Sequence, residues 1–118
     1  MKVGILTIGN ELTSGKTQDT NSSYIARELV QRGWQMTGVM SVGDDYQAIK
    51  DGLDYILARA DAVIVTGGLG PTVDDITTAA VAKAYNRNLF TDEATLNHIK
   101  ERFAWAKLNW TNNNAKQA

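Results

Sequence analysis

Residues 62–75 read Ala-Val-Ile-Val-Thr-Gly-Gly-Leu-Gly-Pro-Thr-Val-Asp-Asp, an apolar run that passes directly into a glycine-rich segment and a pair of acids. Ala62 to Val65 is an uninterrupted, largely β-branched run between Asp61 and Thr66-Gly67-Gly68, which predicts a strand. Gly67–Thr72 predicts a loop, and Asp74 or Asp75 is placed to lead a helix running to about Tyr85. The same order recurs upstream. Residues 2–8 form a nearly continuous apolar run, the mark of a strand covered on both faces, followed by a long polar loop from Gly9 to Asn21. Asn21 is placed to cap a helix over Ser22–Arg32, with Gly33 where a left-handed terminal residue is wanted. Trp34–Val42 predicts a second strand, Gly43-Asp44-Asp45 a turn, and Tyr46–Arg59 a helix whose Tyr46, Ile49, Leu53 and Ile56 share one face. Downstream, a short extended piece is expected at Leu89-Phe90. A last helix follows, capped by Thr91 or Asp92, with Leu96, Ile99 and Phe103 on its buried side. Alternating strands and helices imply parallel pairing and right-handed crossovers, hence an α/β fold with a doubly wound sheet.

The bulk numbers agree with one domain. The 118 residues suffice for a single core, and 43% hydrophobic with 21% charged residues is an ordinary globular balance. The formal charge is -1, and no run of Lys or Arg could neutralise successive phosphates, so nucleic acid is not an expected partner. No stretch approaches the roughly 20 apolar residues of a membrane span, and residues 1–11 are too short in apolar character for a secretory signal, so the expected location is cytoplasmic. There is no cysteine, which excludes disulfides, thiolate metal ligands and a thiol nucleophile. Residues 1–108 are read as the domain and 109–118, rich in asparagine, as a partly disordered polar tail.

In an open α/β sheet the ligand crevice lies outside the carboxyl ends of the strands, where every polar cluster of this sequence falls. Thr66, Gly67, Gly68, Leu69 and Gly70 are candidates for binding a phosphate, because glycines let backbone N–H groups approach an anion and the following helix N-terminus adds partial positive charge. The plainer alternative is that the glycines only turn the chain and the aspartates cap the helix. Asp74 and Asp75 cannot both be the cap, so the spare carboxylate is a candidate ligand for a divalent metal, Mg²⁺ by its preference for carboxylate and phosphate oxygen. Asp44 and Asp45 stand at the equivalent place after the second strand. In the first loop Gly9, Glu11, Asp19 and Asn21 can reach the crevice. Gly9 to Lys16 is not a P-loop, since five residues separate Gly9 from Gly15 where that motif has four. His98, the only histidine, is read as a surface residue, and with no Gly-x-Ser-x-Gly elbow a serine nucleophile has no support. Trp105 and Trp110 are read as core or subunit packing.

The segments GNELTSGKTQDTNSSYIARELVQRGW (9–34), SVGDD (41–45), TGGLGPTVDDIT (66–77) and NNNAKQA (112–118) resemble the N-terminal domain of the CinA (competence/damage-inducible) family, part of the molybdopterin-binding superfamily. The resemblance covers nearly the whole chain. It implies a Rossmann-like α/β/α sandwich with a mostly parallel sheet, phosphate binding by Gly67, Gly68 and Gly70, and roles for Asp75 and Asp44 as functional acids. It also implies metal-dependent hydrolysis of ADP-ribose at its pyrophosphate, and assembly into dimers or trimers. A molybdopterin-binding or adenylylating activity and a noncatalytic binding or oligomerisation module stand as the alternatives. Domains of that family continue beyond the segment ending at Ala118, so the resemblance further implies that the domain is incomplete at its C-terminal end. The separate amidase activity of longer relatives is not carried over.

Overall fold

The computed structural model describes residues 1–118. Three strands, β1 (Lys2–Ile8), β2 (Gln35–Val42) and β3 (Ala62–Thr66), form one sheet in the order β2-β1-β3. Both pairings are parallel, as alternation of strands and helices requires. A bulge between Val3 and Gly4 shifts the β2 register, Val3 facing Met36 and Gly4 facing Gly38. The helices are α1 (Asn10–Thr13), α2 (Thr20–Gln31), α3 (Tyr46–Leu57), α4 (Thr77–Ala84) and α5 (Glu93–Trp105), followed by a 3₁₀ turn at Asn112–Gln117.

The central strand β1 is buried from Val3 to Ile8, which explains its apolar run: a strand covered on both faces has no polar face to present. Its side chains alternate between the two sides of the sheet. Leu6 and Ile8 join Ile49, Leu53 and Ile56 of α3 and Ala80 of α4 in the main core cluster. α3 lies so close to β1 that a Cβ on Gly52 would sit 2.8 Å from Leu6 Cδ1. α2 contributes buried Leu29 and Ser22 and packs on β1 and β2. β3 is an edge strand and only half-buried throughout.

The helix starts differ from the sequence reading in two places. Asp19, not Asn21, caps α2: its carboxylate accepts hydrogen bonds from Ser22 N at 3.1 Å and Ser22 Oγ at 2.5 Å. Neither Asp74 nor Asp75 caps α4, which begins at Thr77 after an Ile76 that supplies no side-chain cap. Asp75 is held instead by Thr72, a local bond that competes with capping. The long first loop contains the short helix α1, and Leu89-Phe90 joins no strand.

At the C-terminal end, α5 has no fully buried residue. Leu96, Ile99 and Phe103 are half-covered, and Trp110 meets the Phe103 ring edge-on with centroids 5.3 Å apart. Trp105 is exposed and is not a core residue; His98 lies at the surface as expected. The stretch expected as a partly disordered tail instead forms the 3₁₀ turn, fixed by a reciprocal capping box between Thr111 and Asn114 and by a bond from Asp92 N to Ala118 O. No helix of the chain is long and apolar enough to cross a membrane.

Candidate functional site

Parallel strands bring their following loops to one edge, so the loops after β1, β2 and β3 meet. The meeting point is built by glycine. Gly67 and Gly68 have φ of 94° and 65°, a region that disfavours other residues. A Cβ on Gly67 would overlap the Ile8 carbonyl oxygen, and one on Gly68 would overlap Thr77 Oγ1. The loop is closed onto the helix that follows it: Thr77 Oγ1 donates to Gly67 O at 2.7 Å, and Thr77 N donates to Gly68 O at 3.2 Å. Thr77 is buried, so this closure is shielded from water. The Gly68 and Leu69 amides donate to no acceptor within the chain, and remain available to a ligand.

One cavity is bordered by Gly68 and another by its neighbour Gly67. The larger, about 610 Å³, is bordered by Gly68, Leu69, Gly70 and Asp75 on one side. Leu89, Phe90, Lys116 and Gln117 border it on the other. The smaller, about 190 Å³, is bordered by Glu11, Asp19, Asn21, Thr66 and Gly67. The predicted residues therefore fall into two groups that share the Gly67–Gly68 junction. Asp44 stands beside it and joins the first two loops: Asn10 N donates to Asp44 Oδ2 at 3.1 Å, and Asp44 N donates to Asn10 Oδ1 at 3.0 Å. Its neighbour Asp45 accepts from Ala48 N at 2.8 Å and caps α3, so one residue of that pair is a cap. Gly9 is buried behind the site with its amide donating to Val42 O, and Asp74 is exposed and borders neither cavity.

Asp75 belongs to a tight turn. Its Oδ2 accepts from Thr72 Oγ1 at 2.7 Å and Thr72 N at 3.0 Å, while its own amide donates to Thr72 O. The Thr72 hydroxyl holds the Asp75 carboxyl below its ordinary pKa, helped by the Thr72 and Gly70 amides and by the charge of Lys116. The carboxylate is thus ionised at neutral pH. No three His, Asp or Glu side chains converge, and Asp75 Oδ2 is committed to Thr72, so Asp75 would offer a divalent metal its other oxygen.

Sequence reasoning missed three contributors. Thr72 and Thr77 lie inside the quoted motif and organise it, a signal available in their spacing from Asp75 and Gly67. Lys116 reaches the site only through the fold, across 41 and 44 residues of chain.

Residues 4–113 match the family model described as "Probable molybdopterin binding domain". The chain belongs to this family. A CinA-like protein of Syntrophus aciditrophicus is 58% identical over all 118 residues, and the chain spans 28% of that protein's length. The crystal structure of CinA from Thermoplasma acidophilum superposes with a TM-score of 0.86 at 34% identity, covering 98% of this chain and 67% of that one. A MoaB described as a tungsten cofactor synthesizing protein from Pyrococcus furiosus gives a TM-score of 0.69 at 25% identity, covering 89% and 66%. The α/β fold of this domain is therefore shared with both CinA-like and MoaB-type proteins.

Proposed function

We propose that this domain binds a phosphate-bearing pterin or nucleotide, with the phosphate at the Gly67–Gly70 loop and the two arms of the ligand in the cavities bordered by Gly68 and by Gly67. The observation that carries the reading is the pair of free amides at Gly68 and Leu69 in a loop whose glycines leave no room for side chains. Backbone N–H groups supply an anion seat without the entropy cost of ordering a long side chain, and the N-terminus of α4 adds partial positive charge close by. The family's description and the MoaB-type relatives support a pterin as one arm.

The finer reading is hydrolysis of ADP-ribose at its pyrophosphate. A central phosphate group flanked by two arms suits cavities bordered by the consecutive glycines Gly68 and Gly67, which favours it over a ligand with a single arm. Asp75 and Asp44 are then the acids nearest the phosphate, placed to orient water or a polar group of the ligand.

Calorimetric titration of the chain with a pterin phosphate, ATP and ADP-ribose tests the binding, with AMP release followed chromatographically in the presence and absence of magnesium. Binding of at least one of these, weakened tenfold or more by Gly68→Val, is the expected result. Heat-silent titrations with all three would reject the site. Release of AMP from ADP-ribose selects hydrolysis; pterin binding without release selects the cofactor-related reading.

A further inference from the structure

The larger cavity poses an electrostatic problem, because an anion resting on the Gly68 and Leu69 amides shares the cavity with the ionised carboxylate of Asp75. Like charges repel, and a cation placed nearby offsets that repulsion. One cationic side chain borders the same cavity: Lys116, in the 3₁₀ turn Asn112–Gln117. Its ammonium donates to Thr72 O at 2.5 Å and to Asp75 O, the two ends of the turn that carries the Asp75 carboxylate. An ammonium has three donors, so two are committed to the loop and one remains.

We propose that Lys116 is a positioning residue of the anion site: it clamps the Thr72–Asp75 turn by its carbonyls and presents its remaining N–H and its charge to the phosphate of the ligand. This rests on the phosphate-binding reading above. The 3₁₀ turn is tied down independently of Lys116, by the Thr111–Asn114 capping box and the Asp92–Ala118 backbone bond, so the ammonium is held over the loop rather than tethered by a free strand of chain. Lys116 is exposed and takes no part in the core, so its replacement leaves the fold intact.

The test uses the 118-residue chain with Lys116→Met, which keeps the length of the stem without the charge, and Lys116→Arg, which keeps the charge. Inorganic pyrophosphate is the probe, titrated calorimetrically at low and at physiological salt, and the backbone amides of Thr72 to Asp75 are followed by NMR in the free chain. The expected result is tenfold or greater weakening in Lys116→Met with a flatter salt dependence, recovery to within about threefold in Lys116→Arg, and shifted Thr72–Asp75 amides in the Met variant only. Equal pyrophosphate affinity in wild type and Lys116→Met overturns the proposal. If the wild-type chain binds no pyrophosphate, the phosphate reading fails; shifted amides in Lys116→Met then support the clamp alone, and unmoved amides overturn it as well.

Discussion

Gly68 and Gly15 separate two effects that glycine combines at a single position. Both have positive φ, 65° and 76°, yet a Cβ on Gly15 meets nothing within 4 Å whereas one on Gly68 would drive into Thr77 Oγ1. The left-handed backbone alone costs an alanine about 1 kcal/mol. Gly15→Ala should therefore lose about 1 kcal/mol in chemical denaturation. Gly68→Ala should lose about 2–3 kcal/mol, since it must also displace the Thr77 hydroxyl from Gly67 O and leave a buried polar group without its partner. Equal losses at the two positions would mean that the loop tolerates a side chain at Gly68 and that its tight closure on α4 is not a constraint. The glycines of this loop were legible as a close-approach signal because they follow a strand directly. Which backbone they approach, the Ile8 carbonyl of a neighbouring strand, was not, because that depends on β1 lying beside β3.

At the level of elements, the acid end of the pH scale reports on a helix cap. Asp92 accepts hydrogen bonds from the side chain and then the amide of Thr95, and these hold its carboxyl below the ordinary value of 3.8. A group with a depressed folded pKa contributes stability that is fully present above the unfolded value and is lost as pH falls through the folded one. Thr95 amide exchange should therefore show constant protection from neutral pH down to about 3.8, after correction for intrinsic rates, and a progressive loss below it. In Asp92→Ala the protection should already be lower at neutral pH and should not respond to that window. A matching acid response in the variant would assign the effect to another carboxylate. Strand and helix identity could be read from the sequence here because continuous apolar runs and three-to-four spacing do not depend on the partner. Helix starts could not: Asp19 and Asn21 are both competent caps, and the choice rests on which oxygen reaches Ser22. At Asp75 the bond to Thr72 wins over the cap, so α4 opens two residues later with no side-chain cap. The acids, glycines and asparagine of the candidate site were legible as residue types at the ends of strands. Their division between two cavities, and the arrival of Lys116, belong to tertiary contacts that no local pattern encodes.

Over the whole molecule, burial is concentrated in β1 and the face of α3, while α5 has none, and this asymmetry predicts a gradient of local stability. Opening a segment costs free energy in proportion to the apolar surface and hydrogen bonds it must expose, so elements with little burial open without global unfolding. Val3, Ile5, Leu6 and Ile8 are fully buried in a strand bonded on both edges, and their amides can exchange only when the sheet comes apart. By contrast Phe90 is 84% and Trp105 78% exposed at the two ends of the α5 region, whose packing includes the Phe103–Trp110 contact. Hydrogen exchange at neutral pH should find the β1 amides slowest, those of α3 next, and those of Glu93–Trp105 faster by several orders of magnitude. Trp110→Ala should accelerate α5 further while leaving β1 unchanged, because the two regions share no core cluster. Exchange at one common rate in β1 and α5 would overturn the gradient and require that the C-terminal elements unfold together with the sheet. The gradient also bears on binding, since Lys116 and Phe90 stand on the labile side of the larger cavity and Gly68, Gly70 and Asp75 on the stable side. A phosphate ligand that bridges them should slow exchange in α5 and the 3₁₀ turn more than in β1, which is measured by repeating the experiment with saturating pyrophosphate.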